Sequence, residues 1–150
     1  MKISIASDHG GVDLKQELIH YLEGLGHEVI NFGTNSHDSC HYPDYIYPAC
    51  KALKEGIVER AIVICTTGIG VSIVANKVKG VRCSLVSNVK DAQTTREHND
   101  ANCLALGAKT VNTDLAKEIV QVWLNTPFSF AERHVIRVGK IKEIEVLENE

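Results

Sequence analysis

Five short apolar runs, each followed by a stretch with helical spacing, constrain the fold of this 150-residue chain more than any other feature. The runs are Ile3 to Ser7, Glu28 to Phe32, Ala61 to Cys65, Cys83 to Ser87 and Cys103 to Leu106. Regular alternation of strands and helices predicts parallel strands, because a crossover helix returns the chain to the same end of the sheet. We therefore expect an α/β fold, a Rossmann-like three-layer α/β/α sandwich around a five-stranded parallel sheet.

The first two helical stretches end at glycines that suit helix termini. The helix after the first strand has one apolar face, formed by Leu14, Leu18, Leu22 and Leu25. Gly26 follows it in the position where helices favour glycine. The second helix is predicted to start at Pro43 and to stop at Gly56. Its buried face consists of Ile46, Ala49, Cys50 and Leu53.

Two further helices are predicted near the end of the chain. One is capped by Asn112 or Thr113 and ends before Pro127. Its apolar face consists of Leu115, Ile119, Val120 and Trp123. The tail from Arg133 is predicted as a C-terminal helix with apolar residues three apart, namely Val135, Val138, Ile141, Ile144 and Leu147. A stripe with that spacing winds around the helix, so we expect this helix to clasp a second subunit.

Composition narrows the class of protein. Hydrophobic residues make up 44% of the chain, which is enough for one folded domain over residues 1–150. A net charge of −3 gives no general affinity for nucleic acid or an anionic membrane surface. Five cysteines without a C-x-x-C pair predict reduced thiols and a cytoplasmic protein. Three of them, Cys50, Cys83 and Cys103, fit the pattern of small buried hydrophobic residues.

The third strand ends in a cysteine that opens a glycine-bearing turn, Cys65-Thr66-Thr67-Gly68-Ile69-Gly70. A helix that begins near Gly68 would direct unpaired N–H groups toward the thiol, where they could hold a phosphate, stabilise an oxyanion or activate the sulfur. The turn is not a dinucleotide-binding loop, because Ile73 stands where glycine or alanine is needed. It also lacks the Gly-Lys-Ser/Thr ending of a Walker loop and the arginine of a cysteine phosphatase. Cys65 is therefore a candidate nucleophile or base.

The first strand ends in a second polar turn, Asp8-His9-Gly10-Gly11. In a parallel sheet this turn emerges at the same edge as Cys65, so the two turns should face one crevice. The alternative interpretation is that Asp8 caps a helix and His9 is solvated. The paired glycines favour a binding site, because they let a ligand approach the backbone closely.

Three other segments carry polar side chains. His98, followed by Asn99 and Asp100, is either part of a hydrogen-bonded site or a histidine at a helix C-terminus. Arg133 and Arg137 share one helix face, where they either grip a dianion or form a solvated basic face that pairs with Glu132. The segment His37-Asp38-Ser39-Cys40-His41 holds four possible metal ligands in one loop without a second cluster, which favours a mobile loop over a metal site.

Taken together, four segments resemble ribose-5-phosphate isomerase B, the family that includes galactose-6-phosphate isomerase subunits. They are Ser7 to Gly11, Cys65 to Gly70 with Ala75-Asn76-Lys77, Arg96 to Asn102, and Arg133 to Arg137. The likeness spans nearly the whole chain, in order. It implies an enzyme without metal or organic cofactor that interconverts an aldose phosphate and its ketose, ribose 5-phosphate and ribulose 5-phosphate.

The resemblance also implies roles for individual residues. Cys65 matches the base that removes the C2 proton, and Thr67 matches the acid at the carbonyl oxygen. The enediolate site matches the amides of Thr66, Thr67, Gly68, Ile69 and Gly70. His98 matches the group that opens the furanose ring, with Asp8 at the ring oxygen. Asn99 matches a sugar-hydroxyl contact, and the phosphate site matches His9, Arg133 and Arg137.

In this family the pocket lies between two subunits of a homodimer, so the resemblance implies that His98 and Asn99 act on the substrate beside the other chain's Cys65. It implies a dimer or a tetramer, and an inactive monomer. Two positions depart from the family pattern. Thr66 stands where glycine is usual, and Lys109 stands where an arginine often reaches the phosphate.

Two alternative functions stay open from the sequence. One is an isomerase of a hexose 6-phosphate, such as allose or galactose 6-phosphate, since the loop from Thr34 to Tyr42 and the bulk of Thr66 set the depth of the pocket. The other is a non-catalytic module that binds phosphosugars, in which Cys65 has no chemical role.

Overall fold

Five parallel strands form a single sheet in the spatial order β2-β1-β3-β5-β4, in a computed structural model that describes residues 1–149. The strands are β1 (Lys2–Ser7), β2 (Glu28–Asn31), β3 (Arg60–Cys65), β4 (Cys83–Leu85) and β5 (Cys103–Gly107). Every neighbouring pair is parallel. The predicted five-stranded parallel sheet is therefore confirmed.

Six helices flank this sheet: α1 (Val12–Gly24), α2 (Pro43–Lys54), α3 (Ile69–Ala75), α4 (Val89–Asn99), α5 (Thr113–Asn125) and α6 (Glu132–Glu148). Side chains of α1, α4 and α5 pack on one face of the sheet, and those of α2 and α3 pack on the other. This arrangement is the predicted three-layer sandwich with a C-terminal helix. None of the helices described in residues 1–149 has the length and apolar character needed to cross a bilayer.

The two faces of the sheet differ in side-chain size. Alternate strand residues on the face of α1 and α5 are large, namely Ile3, Ile5, Ile62, Ile64, Leu104 and Leu106. Those on the face of α2 and α3 are small, namely Ala6, Ala61, Val63, Cys65, Cys103 and Ala105. Because side chains alternate along a strand, the thiol of Cys65 points toward α2 and α3.

Helix ends follow the local sequence. Gly26 adopts a φ of 92°, and the N–H of His27 donates to the carbonyl of Leu22 at 3.1 Å, which is the glycine-dependent stop that the sequence predicts. Asn112, rather than Thr113, caps α5 by accepting the Leu115 N–H at 2.8 Å. Leu25 is a correction, because it lies beyond the last turn of α1 and is 47% exposed.

Two strands end earlier than predicted. β4 stops at Leu85 because Asn88 caps α4 by accepting the N–H of Asp91 at 2.8 Å, so the chain has to leave the sheet first. β2 stops at Asn31, and Gly33 then bends the chain with a φ of 92°. Both are edge strands, which have a pairing partner on one side only.

Candidate active site

The order of the sheet reverses between β1 and β3, since β2 lies on one side of β1 and β3 on the other. Open α/β sheets bind ligands in the crevice at the carboxyl ends of such strands. Asp8 follows the last residue of β1, and its N–H donates to the carbonyl of Ile64 at 3.2 Å. Cys65 is the last residue of β3. The two polar turns therefore meet at one crevice, as predicted.

Cys65 lies at the base of its turn and is 5% exposed. Its Sγ accepts a hydrogen bond from the N–H of Gly68 at 3.1 Å. Gly68 adopts a φ of 79°, and a side chain there would collide with Leu85 and the backbone of Gly107. The thiol is thus held in a turn whose shape depends on glycine.

The amides of this turn divide into two groups. The N–H of Gly68 is bonded to sulfur, and the N–H of Ile69 donates to the Thr67 hydroxyl at 3.2 Å. Within residues 1–149, the N–H groups of Thr66, Thr67 and Gly70 have no hydrogen-bond partner. Three donors next to a thiol can stabilise negative charge on a substrate oxygen.

Lys109 reaches the same crevice through the backbone. Its N–H donates to the carbonyl of Thr66 at 3.0 Å, and the N–H of Ala108 donates to the carbonyl of Cys65 at 2.9 Å. These bonds place the exposed lysine beside the turn, where its ammonium can approach an anion. A lysine offers a single point charge there, whereas an arginine would offer a fork of donors.

The first turn partly follows the capping alternative. Asp8 is buried, and its Oδ1 accepts the N–H of Gly10 at 2.9 Å. Gly10 faces the hydroxyl of Thr66, and Gly11 faces Ile64. These two glycines make room for protein side chains. Close approach of a ligand to the exposed Gly10 stays a prediction.

His9 is held in a defined orientation by the loop that follows β2. Its Nδ1 accepts the backbone N–H of Cys40 at 3.3 Å, and the Cys40 Sγ lies 3.8 Å from the same nitrogen. A ring nitrogen that accepts a hydrogen bond carries no proton, so Nε2 is the donor of the neutral imidazole. That assignment leaves one N–H of His9 free to bind a phosphate oxygen.

The candidate metal ligands of the same loop diverge. His37 Nε2 lies 2.8 Å from Asp13 Oδ1 on α1, while Cys40 contacts His9. Among residues 1–149, no group of three or more histidine, cysteine or carboxylate side chains is close enough to hold a metal ion.

Tyr42 contacts the cysteine turn, which the sequence interpretation did not predict. Its ring lies against Gly70, so that a side chain at Gly70 would overlap it. The only signal in the sequence is an aromatic residue in a polar loop directly before Pro43, which by itself indicates nothing about a binding site.

The remaining predicted site residues lie at the opposite edge of the sheet. His98 and Asn99 end α4, just before β5 begins at Cys103, which is in register with Ala61 near the start of β3. Cys65 pairs instead with Gly107, the last residue of β5. A strand of this length separates the two edges by roughly 13 Å. One chain therefore does not bring His98 to its own Cys65.

Arg133 and Arg137 accompany His98 at this amino edge. Both are exposed in the first turns of α6, and neither forms an ion pair within residues 1–149. The ring of His134, between them in sequence, lies 4.2 Å from the ring of His98. The two guanidinium groups are thus free to bind an anion beside His98.

His134 is a second residue to which the sequence analysis gave no role. It is 4% exposed, and its Nδ1 lies 2.6 Å from the hydroxyl of Ser129. Burial, followed by the positive charges of neighbouring side chains, lowers the pKa of His134 below its usual value. A neutral imidazole therefore packs against His98 at neutral pH.

Comparisons with known proteins identify relatives over nearly the whole chain. A family model described as Ribose/Galactose Isomerase matches residues 3–141. A solved structure of Clostridium thermocellum ribose-5-phosphate isomerase B is similar to this chain with a TM-score of 0.96 and 51% identity, covering 99% of each chain. Ribose-5-phosphate isomerase B of Escherichia coli is 42% identical over 148 residues, 99% of each chain. D-erythrulose-4-phosphate isomerase of Pectobacterium atrosepticum is 38% identical over 129 residues, 85% of each chain.

Proposed function

Because this chain belongs to the ribose/galactose isomerase family and is a sugar-phosphate isomerase, we propose that it interconverts ribose 5-phosphate and ribulose 5-phosphate. The observation that carries the proposal is the Cys65 thiol, which lies at the switch point of the sheet beside three amides that have no hydrogen-bond partner within residues 1–149. We take residues 1–150 as one isomerase domain. We also propose a cytoplasmic location, because the five cysteines are free thiols and disulfides are rare in that compartment.

The carbonyl moves from C1 to C2 through an enediolate. In this proposal the Cys65 thiolate removes the proton from C2, and the free amides of Thr66, Thr67 and Gly70 hold the negative oxygen. The exposed Thr67 hydroxyl protonates O1 of the enediolate and regains a proton from the O2 hydroxyl. Cys65 then delivers the proton it took from C2 to C1, which leaves the carbonyl at C2. These groups lie on one turn, so the base and the oxyanion donors can contact neighbouring atoms of the substrate at the same time.

Pentose phosphates are mainly closed rings, so the ring has to open before C2 becomes acidic. We assign this step to His98, which takes the proton of the O1 hydroxyl, and to Asp8, which assists at the ring oxygen. Asn99 contacts a sugar hydroxyl. Asp8 lies at the carboxyl edge of the sheet, whereas His98 lies at the amino edge.

A second copy of the chain resolves this separation. In a two-fold dimer, the carboxyl edge of one copy meets the amino edge of its partner, and each of two sites uses both edges. Apolar side chains are exposed at both edges. Ile69 and Ile73 beside Cys65 are 54% and 57% exposed, and Ile144 and Leu147 of α6 are 60% and 69% exposed. A partner chain would cover them, and His9 and Lys109 of one copy would join Arg133 and Arg137 of the other around the phosphate.

Isotope exchange tests the proposal. Ribose 5-phosphate incubated with the protein in deuterated water should form ribulose 5-phosphate with deuterium at carbon, since a proton removed from C2 exchanges with solvent. Cys65→Ser should lower kcat by about 100-fold to 10,000-fold. The matched control is Cys83→Ser, which changes a half-buried thiol at the far end of the sheet and should retain activity. A Cys65→Ser variant as active as the wild type would remove the thiol from the mechanism.

Substrate length is a second measurable property. Thr66 fills space beside Gly10 in the crevice, which favours a five-carbon over a six-carbon sugar. We expect kcat/KM to be higher for ribose 5-phosphate than for allose or galactose 6-phosphate, and Thr66→Gly to narrow the difference. Tight binding of all three sugar phosphates without turnover would instead favour a non-catalytic binding module.

A further inference from the structure

The turn that carries His98 and Asn99 is held by two arginines. Asp100, directly after α4, adopts left-handed backbone angles with a φ of 48°. Arg96 Nη1 donates to Asp100 Oδ1 at 2.8 Å, and Arg82 Nη2 donates to the Asp100 carbonyl at 2.8 Å. The Asp100 carboxylate also lies 3.4 Å from Arg82 Nη2.

The same guanidinium groups bind the backbone on both sides of Asp100. Arg82 Nε donates to the carbonyl of Asn99 at 3.1 Å, and Arg96 Nη1 donates to the carbonyl of Ala101 at 2.9 Å. Arg96 Nε also donates to the carbonyl of Thr126 at 3.1 Å. Three consecutive residues of the turn are therefore fixed by two side chains that come from different parts of the chain.

The side chains of Arg82 and Arg96 are largely buried, unlike those of His98 and Asn99. The Arg96 side chain is 6% exposed and the Arg82 side chain 17% exposed, whereas His98 and Asn99 are exposed. Desolvated guanidinium groups are unfavourable unless their donors are paired, and here the donors converge on one turn. Exposed helix ends are usually the first part of a helix to fray. Because this helix end is held by two largely buried arginines, His98 and Asn99 are kept in a fixed position.

We propose that Arg82 and Arg96 are positioning residues, which act through Asp100 to fix the orientation of His98 and Asn99 toward the sugar ring. The inference rests on the proposed function, because it takes His98 as the group that opens the ring. The competing interpretation is that the two arginines only join α4 to the start of β5. The two interpretations differ in whether the effect of Arg82 on activity depends on His98.

A double-mutant cycle separates them. With ribose 5-phosphate as substrate, Arg82→Ala should lower kcat by about tenfold to 100-fold in the otherwise native protein, as expected for a displaced catalytic group. In the His98→Ala background the same substitution should change kcat little, because the ring-opening group is gone, and its remaining effect through Asn99 should appear in KM. Arg82→Lys should restore part of the loss. The matched control is Lys79→Ala. Lys79 lines a surface groove together with Arg82 and Asn99 but has no hydrogen bond to the turn within residues 1–149.

Amide hydrogen exchange supplies a readout that does not depend on catalysis. Arg82→Ala should accelerate exchange at the N–H groups of Asp100 and Ala101, which donate to carbonyls of α4, while leaving β5 protected. Unchanged exchange at this turn would overturn the proposal. An equal loss of kcat in the native and His98→Ala backgrounds would also overturn it, because the arginines would then act independently of His98. Full activity of His98→Ala alone would instead contradict the proposed ring-opening role.

Discussion

The hydroxyl of Thr66 fills the space that a side chain at Gly10 would need, so the turns after β1 and β3 touch each other through these two residues. The contact lies at the switch point of the sheet, next to Asp8 and Cys65. An added side chain at Gly10 would therefore overlap Thr66, and the contact sets how closely the two turns approach each other.

A side chain at Gly10 should therefore be tolerated only when Thr66 is replaced by a smaller residue. Gly10→Ala should lower the free energy of unfolding by about 1–3 kcal/mol, because the new methyl group overlaps the threonine hydroxyl. The double variant with Thr66→Gly should lose less, since the overlap is removed. Urea denaturation measures both. Gly24→Ala is the control, because no atom lies within 4 Å of an added carbon there. Equal losses in the single and double variants would show that the two residues do not interact.

Two inactive variants should restore activity when combined. Cys65→Ala and His98→Ala should each be nearly inactive on ribose 5-phosphate. In the proposed dimer, random pairing after joint unfolding and refolding makes about half of the dimers mixed, and each mixed dimer has one intact site of two. We expect about a quarter of the wild-type activity, measured as ribulose 5-phosphate formed.

The control for this mixing experiment pairs Cys65→Ala with a chain that carries both substitutions, a combination that can form no intact site. Failure of the Cys65→Ala and His98→Ala mixture to recover activity would show that the two residues do not share a site across the dimer.

Arg137 should act on the phosphate and not on the chemistry of the carbonyl. Arg137→Lys keeps the charge but loses the fork of donors, so kcat/KM for ribose 5-phosphate should fall about tenfold or more, mainly through KM. Turnover of ribose without a phosphate, however slow, should be unchanged by the substitution. Lys140→Ala on the same helix is the control. A loss confined to kcat would place Arg137 at the reacting carbons.

Lys15 offers a test of stability against pH. Its buried ammonium donates to Asn31 at 2.9 Å and to Asn35 at 2.7 Å, and no carboxylate lies within 4.0 Å of it in residues 1–149. Burial lowers the pKa of Lys15 from 10.5 to about 8. Between these values the unfolded chain holds a proton that the folded chain has released, so this group makes the protein more stable as pH rises from 8 to 10.5.

Asn31→Asp should weaken this pH dependence. A carboxylate beside the ammonium raises the pKa of Lys15 toward its usual value, and Asn35 can turn its amide to donate to the new charge. The variant should melt at a higher temperature than the wild type at pH 7, and the difference should shrink toward pH 10.5. Melting curves of both proteins across this range measure the effect. A difference that does not vary with pH would show that Lys15 is not the group responsible.

Much of the fold follows from local sequence. Gly26 and Asn112 determine helix termini through interactions within a few residues, and the apolar runs fix which segments are strands. The meeting of Asp8 and Cys65 also follows, because parallel strands bring their carboxyl ends together. These features need no knowledge of how distant segments pack.

Other features of the site depend on packing between segments far apart in the chain. The contact of Thr66 with Gly10 requires the register of β1 against β3, and the contact of Tyr42 with Gly70 requires the path of an irregular loop. Neither leaves a periodic signal. For the same reason the sequence does not reveal that Gly10 and Gly11 make room for Thr66 and Ile64.

The unequal faces of the sheet mean that mutations in the core should report on different properties. Replacing Ile62 or Leu104 by a smaller residue leaves a cavity under α1 and α5. Such a variant should have a lower melting temperature, while the folded protein keeps its catalytic activity. Enlarging Ala61 or Ala105 pushes outward on α2 and α3, whose ends hold Tyr42 and the cysteine turn. Substitutions that change the catalytic rate should therefore lie on the face of α2 and α3, and substitutions that change thermal stability should lie on the face of α1 and α5.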